Sequence, residues 1–339
     1  MVLKPTGAQV VPSMIVVMGV TGAGKSHFIN QLAGKKVVQE GAELDSCTQE
    51  CQLVPVSIGS SKVLLIDTPG FDDTARTDSE ILTEIARLLS AQYELGVQLK
   101  GVIYIHRITD IRYSRSSVKT FEIFRKICGE TALENVLLVT SRWHEVDGST
   151  GADRERQLKE KFWAYMLGHG SSISRFHGDR PSAVSLVSQL LCRDTVVLQL
   201  QKELVDEGKQ LDDTVAGSYV SNSLEKLKQQ YQDELGSLER LKQDLLDHDR
   251  AMKRQLQQDW EKESALLRQA QNDQVSLQRA VGTEVRQEIH QKKSGLSKVL
   301  PFVPVAISVL CAFCGIPPGV VDIFSGWFAD LGASADISF

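Results

Sequence analysis

The sequence predicts an α/β fold, a mostly parallel sheet flanked by helices, followed by a long helical region and an apolar C-terminal segment. Three observations carry this expectation. Apolar runs of strand length alternate with amphipathic stretches from Met14 to about residue 190, the pattern of a sheet covered on both faces. The first run, Met14–Met18, feeds Gly19-Val20-Thr21-Gly22-Ala23-Gly24-Lys25-Ser26, which is G-x-x-x-x-G-K-S between a strand and a helix. From Ser221 to Lys293 the composition shifts to Gln, Glu, Lys, Asp, Arg and Leu, and no proline occurs between Pro181 and Pro301.

The glycine-rich stretch comes first in the chain and carries the chemistry. Gly19, Gly22 and Gly24 let the backbone curl and aim several N–H groups at one phosphate chain. Lys25 adds positive charge at the outer phosphates, and the Ser26 hydroxyl is a ligand for Mg²⁺. The following helix, Lys25 to Leu32, turns the positive end of its dipole toward the same anion, and His27 lies in its first turn. A chance glycine-rich turn is the competing reading. Strand before, helix after and the Gly-Lys-Ser ending weigh against it.

Residues 36–52 read as irregular and polar. Leu53–Ile58 and Lys62–Asp67, separated by Gly59-Ser60-Ser61, read as an antiparallel hairpin. The hairpin ends in Asp67-Thr68-Pro69-Gly70, an acidic residue at a strand tip before a glycine turn, which suits a site that holds Mg²⁺ and senses the last phosphate. A helix from Asp78 to Gln92, a strand from Gly101 to His106 and a helix from Ser116 to Cys128 follow. The strand Asn135–Thr140, a helix Asp153–Met166, a short strand Ile173–His177 and a helix near Ser182 complete the alternation. Ligands of such sheets bind at the carboxyl ends of the strands, where the marked residues fall.

Leu224, Tyr231, Leu238, Leu245 and Met252 recur every seven residues, with Leu227, Leu235 and Leu241 on a second seam. The stretch reads as a long helix or coiled coil, or as a helical hairpin folded back on the sheet; Gly236 and Gly282 weaken it locally. Val299–Val321 holds no charge and one polar side chain, Ser308. Its length fits a span of about 20 residues, but Pro301, Pro304, Pro317 and Pro318 interrupt it, so membrane contact and burial within the protein stand side by side. The expected organisation is therefore a nucleotide domain over 1–215, a helical or coiled-coil region over 216–294 and a hydrophobic segment over 295–339.

Composition excludes some classes. A net charge of -5 gives no reason to expect nucleic-acid binding, and the 6 scattered cysteines suit a reducing compartment rather than a disulfide framework. No signal-peptide layout opens the sequence, so a cytoplasmic location is expected, with membrane association through Val299–Val321 as the variant.

With these pieces assembled, the chain resembles the septin-like GTPases of the immunity-associated nucleotide-binding and chloroplast-translocon group, and most of all a family of fungal G-domain proteins. The resemblance covers about residues 12–215. It rests on GVTGAGKSHFIN at 19–30, LDSCTQE at 44–50, LIDTPGFDDT at 65–74, GVIYIHRITDIR at 101–112, VLLVTSRWHEVD at 136–147 and EKFWAYMLGHGSSISRF at 160–176. It implies a P-loop G domain that binds GTP with Mg²⁺ and pairs as a homodimer through nucleotide-bound faces, the coiled coil being a second route to pairing. It implies further that Thr48 joins Ser26 and Asp67 at the metal and that the Gly70 amide meets the terminal phosphate.

Phe71 stands where many signalling GTPases carry the glutamine that orients the attacking water. Hydrolysis is expected to be slow unless a partner completes the site. Relatives in the wider group use an arginine supplied across a dimer, and Arg107 is the residue to examine, an ordinary salt-bridge role being its alternative. The base-reading motif departs from the family's Asn/Thr-Lys-x-Asp, for here it is Ser141-Arg142-Trp143-His144. Arg142 can stack as lysine does, but a histidine offers at most one acceptor where a carboxylate offers two. Either guanine recognition is weakened or Glu145 or Asp147 takes over. The functional expectation is a GTP-binding switch or assembly GTPase. A hydrolysis-poor nucleotide-binding scaffold, or an ATP binder, is the alternative.

Overall fold

The computed structural model describes residues 13–40, 50–72, 76–244, 250–296, 309–311 and 313. Strand β1 (Ser13–Gly19) leads through the glycine-rich loop into helix α1 (Lys25–Ala33). Strands β2 (Gln52–Ile58) and β3 (Ser61–Asp67) form the expected antiparallel hairpin. Helix α2 (Asp78–Glu94), strand β4 (Leu99–Arg107), helix α3 (Arg115–Cys128) and strand β5 (Val136–Ser141) follow. A Thr77 capping box starts α2, with Glu80 reaching back to the Thr77 amide.

The helix expected over Asp153–Met166 is interrupted. Helix α4 (Gly148–Gln157) opens into a wide turn at Leu158–Phe162 before α5 (Ala164–Gly168). The Trp163 amide reaches back to the Leu158 carbonyl at 2.7 Å, which carries the indole into full burial beside Tyr104 and Phe121. Strand β6 (Ser172–Arg175) and helix α6 (Arg180–Leu191) finish the sheet layer.

The sheet order is β2-β3-β1-β4-β5-β6, with β2 antiparallel and the other pairings parallel. Side-chain alternation explains why both faces are covered. Met14, Val16 and Met18 enter one apolar cluster, whereas Ile15 and Val17 enter the other. The carboxyl ends of β1, β3, β4 and β5 thus bring Gly19, Asp67, Arg107 and Ser141 to one edge.

Beyond the short helix α7 (Gln199–Gln201) lie α8 (Val215–Asp244), α9 (Arg250–Leu277) and α10 (Val281–Leu296). Helices α8 and α9 run antiparallel, with Lys228 bonded to Gln274 at 2.6 Å and Lys242 to Gln257 at 3.2 Å. Of the two sequence readings for this stretch, the described residues take the folded-back hairpin. Ala216, Val220, Leu224, Leu277, Val281, Val285 and Ile289 join the same cluster as Ile81, Leu88 and Phe124 of the sheet layer. The periodic positions nearest the sheet are consumed there, while Leu241 and Met252 stay exposed. Arg87 pairs with Glu288 at 2.7 Å and Arg286 with Glu94 at 2.7 Å, clamping α10 to α2. Gly282 has a positive role: a Cβ there would lie 2.1 Å from the Leu204 carbonyl oxygen, so only glycine lets α10 start against that backbone.

Within Val299–Val321 the described residues are 309–311 and 313, the rest of that run lying outside them. Val309, Leu310 and Cys311 are buried in the same cluster, and Phe313 lies 4.3 Å beneath the Lys292 ammonium. No helix among the described residues is long and apolar enough to cross a membrane.

Candidate nucleotide site

The loop after β1 is bent by left-handed glycines, Gly22 at φ 75° and Gly24 at φ 92°, the second standing at the start of α1. A side chain at either would strain that conformation. Lys25 is buried with its ammonium donating to the Gly19 carbonyl at 3.1 Å and the Val20 carbonyl at 3.0 Å, so the cation lies along the loop. The Ser141 hydroxyl donates to the Ala23 carbonyl at 2.7 Å, tying the end of β5 to the same loop.

Beside it, the Ser26 hydroxyl donates to Asp67 Oδ2 at 2.9 Å, and Asp67 is fully buried. A hydroxyl against a carboxylate at the mouth of the glycine-rich loop is a hard-oxygen donor set of the kind Mg²⁺ prefers, so these residues fit that ion. Thr48, the third expected ligand, lies outside the described residues. The Thr68 hydroxyl donates to the Val17 carbonyl at 2.9 Å and locks the acidic turn to β1. Gly70 meets the loop closely: a Cβ there would sit 2.5 Å from the Thr21 nitrogen. The Thr21 hydroxyl donates to the Gly70 carbonyl and its amide to the Phe71 carbonyl, both at 3.3 Å. The Phe71 ring is buried in the cluster that holds Ile81 and Leu82, away from the site.

Arg107 ends β4, and its Nε donates to the Asp110 carboxylate. Its Nη1 lies 3.0 Å from where a Cβ on Gly22 would stand, so the guanidinium rests on the chain's own loop. The salt-bridge role weighed for Arg107 is therefore present. Behind Asp110 sits His106, buried, with Nε2 3.8 Å from Asp110 Oδ2. Burial, with Arg107 adding and Asp110 opposing, pushes the imidazole down to about 4, which keeps it neutral at pH 7.

The segment after β5 is held by its own contacts. Arg142 adopts a left-handed φ of 60° and donates to Glu145 at 3.0 Å. His144 is 70% exposed, its Nε2 3.6 Å from the same Glu145 oxygen. Trp143 turns inward: its indole N–H donates to the Thr140 hydroxyl at 3.0 Å and the Arg175 guanidinium lies 4.0 Å over the ring. Glu155 fixes Arg175 with hydrogen bonds of 2.9 and 2.7 Å. Asp147 caps α4, accepting from the Thr150 amide at 2.8 Å and the Ser149 hydroxyl at 2.6 Å. Those bonds hold its carboxyl well below the usual carboxylate range.

Residues 13–157 match a family model described as the AIG1 family. This segment is an AIG1 family domain. The match covers under half of the chain. Cell division control protein 11 of Encephalitozoon cuniculi is 29% identical over 187 residues, spanning 50% of this chain and 64% of that protein. Immune-associated nucleotide-binding protein 7 of Arabidopsis thaliana is 29% identical over 199 residues, 58% of this chain and 56% of the relative. GTP-binding protein A of Dictyostelium discoideum is 28% identical over 127 residues, 37% of this chain and 27% of the relative. The chain thus spans less than two thirds of each relative.

Within the AIG1 domain the contacts link the Gly19–Ser26 loop to Asp67, Gly70, Arg107 and Ser141. His27 lies one residue further along α1 and pairs with Glu40 at 3.0 Å. Arg142 and His144 stand on the loop that Ser141 anchors, whereas Trp143 is drawn into packing on Thr140 and Arg175. Sequence reasoning did not single out Asp110, Thr21 Oγ1 as a partner of Gly70, or the Glu155–Arg175 clamp. Asp110 carried a weak signal, an acidic residue three positions after an arginine at a strand end.

Proposed function

We propose that the chain is a Mg²⁺-dependent GTP-binding protein whose AIG1 domain works as a nucleotide switch or assembly GTPase. The Ser26–Asp67 hydrogen bond beside the left-handed loop carries this reading, because a carboxylate buried at a phosphate-binding loop is a metal holder rather than a packing residue. Bound Mg²⁺ would be held by Ser26 and Asp67, and would supply charge neutralisation at the outer phosphates. Lys25 and the loop amides bind and orient the phosphates, and Gly70 brings its amide to their far end. The choice of guanine is supported by the family assignment and by the name of the Dictyostelium relative, while Glu145 and His144 are the groups at hand to read the base.

Hydrolysis by the isolated chain is slow in this reading, since Phe71 is committed to the core and leaves no side chain there to orient water. The same observation favours the second reading, a nucleotide-binding scaffold that acts through its helical hairpin. Calorimetry with GTP, GDP, ATP and XTP, with and without Mg²⁺, tests the binding claim. Phosphate release measured against protein concentration then separates a pairing GTPase from a scaffold. Equal affinity for GTP and ATP, or binding indifferent to Mg²⁺, overturns the first reading.

A further inference from the structure

We propose that Arg107 serves the phosphates bound by its own chain, and that Asp110 is the residue that positions it there. The inference rests on the reading of the Gly19–Ser26 loop as a nucleotide site. Strand parity comes first. Ile103 and Ile105 of β4 face the α1 side of the sheet, where they join the cluster of Phe28 and Ile29. Arg107 follows at the same parity, so its side chain leaves the sheet over α1 and the loop, whereas His106 faces the α3 side with Tyr104.

Local contacts then fix the direction. Asp110 takes the Nε hydrogen bond, which leaves the Nη groups to project, and Nη1 comes to rest against Gly22 midway along the loop. Gly22 has no side chain to keep the guanidinium away, and its left-handed φ of 75° disfavours one. Asp110 is in turn backed by buried His106 and is far less exposed than the arginine it holds, 17% against 39%. A partly exposed pair of this kind adds modestly to stability. Its consequence is directional: the cation is placed where a phosphate chain cradled by the loop would pass. A cavity of about 130 Å³, whose lining includes Val20, Thr21, Asp72, Arg107, Asp110 and Arg112, opens beside the guanidinium and leaves space for an anion with its water. An arginine acting across a dimer would have to abandon both Asp110 and Gly22.

Charge-assisted hydrogen bonds from a forked guanidinium to phosphate are among the stronger polar contacts, discounted here for partial exposure. Fluorescent GTP and GDP analogues are titrated into full-length protein, with Mg²⁺, at concentrations where sedimentation shows a monomer. Arg107→Ala should weaken triphosphate binding by about fivefold to thirtyfold. Asp110→Asn should weaken it by about threefold to tenfold, and Asp110→Glu should recover most of the loss. Lys25→Ala is the control for the site. If Lys25→Ala loses binding while Arg107→Ala binds as wild type in the monomer, the own-chain role is overturned although the nucleotide reading stands. If Lys25→Ala binds normally, the nucleotide reading fails and takes this inference with it. If Asp110→Glu gives no recovery and both Asp110 variants melt early, Asp110 is structural and the positioning claim is overturned.

Discussion

The Thr77 hydroxyl donates to the Asp273 carboxylate at 3.1 Å, joining the cap of α2 to the late turns of α9 across 196 positions of sequence. Burial pushes the Asp273 carboxyl up, with Glu80 and Asp78 adding to the rise and hydrogen bonds from Thr77 and Ser79 opposing it. A carboxyl raised in the folded state favours folding while protonated. Its contribution is full below its unfolded value of about 4 and is lost as pH rises through the folded one. Asp273→Asn keeps an acceptor for Thr77 and removes the charge, so it should raise Tm at pH 7 and change it little near pH 3. Thermal melts across that range check this, and a lower Tm for the variant at pH 7 refutes it.

Lys25→Ala and Ser26→Asn should each cut triphosphate affinity by about tenfold to a hundredfold or more, one through the lost ammonium and the other through the metal. Circular dichroism should stay unchanged, because the Lys25 ammonium donates to the Gly19 and Val20 carbonyls of its own loop. Calorimetry with GTP gives the answer directly.

At the base loop three substitutions should part company. His144→Asp adds a carboxylate at an exposed position beside Arg142 and should tighten GTP over ATP by about tenfold. Glu145→Ala should weaken GTP selectively, since this carboxylate is held on the loop by Arg142. Asp147→Ala removes the cap of α4 and should lower Tm while leaving the GTP-to-ATP ratio alone. Its stabilising effect is present above the unfolded carboxyl value and lost as pH falls, because the folded value is depressed. A change in the nucleotide ratio for Asp147→Ala alone would reverse the assignment.

Val285 of α10 is fully buried in the cluster shared with α2. Val285→Asp places an unpaired charge there and should cost roughly 3–5 kcal/mol. Urea unfolding in a Trp260→Phe, Trp327→Phe background, where fluorescence reports Trp143 and Trp163 of the sheet layer, should shift together with far-ultraviolet dichroism. Separate transitions, with fluorescence unmoved, would show that the helices melt apart from the sheet.

Local patterns explain what could be read in the sequence. The strands and helices through α6 were legible because apolar runs and caps are local signals, and the phosphate loop because its glycines sit at fixed spacing. The break at Leu158–Phe162 was not, for it exists to bury Trp163, a demand made by Tyr104 and Phe121 from elsewhere in the chain. Heptad spacing from Leu224 to Met252 could not distinguish a coiled coil from a folded-back hairpin. The partners that decide it, among them Ile81 and Leu88, lie more than a hundred residues away. Trp143 resembled a base-facing residue until Arg175 and Thr140 were seen to hold it.

Phe71 has a consequence for how motion could start. Its carbonyl accepts from Thr21 of the phosphate loop and its ring is sunk among Ile81 and Leu82, so both ends of the residue are fastened. Exposing such a ring costs about 1.5–3 kcal/mol, comparable to a single charge-assisted phosphate contact. The next residue, Asp72, has a left-handed φ of 68°. A rearrangement driven by a terminal phosphate would therefore have to turn about Phe71.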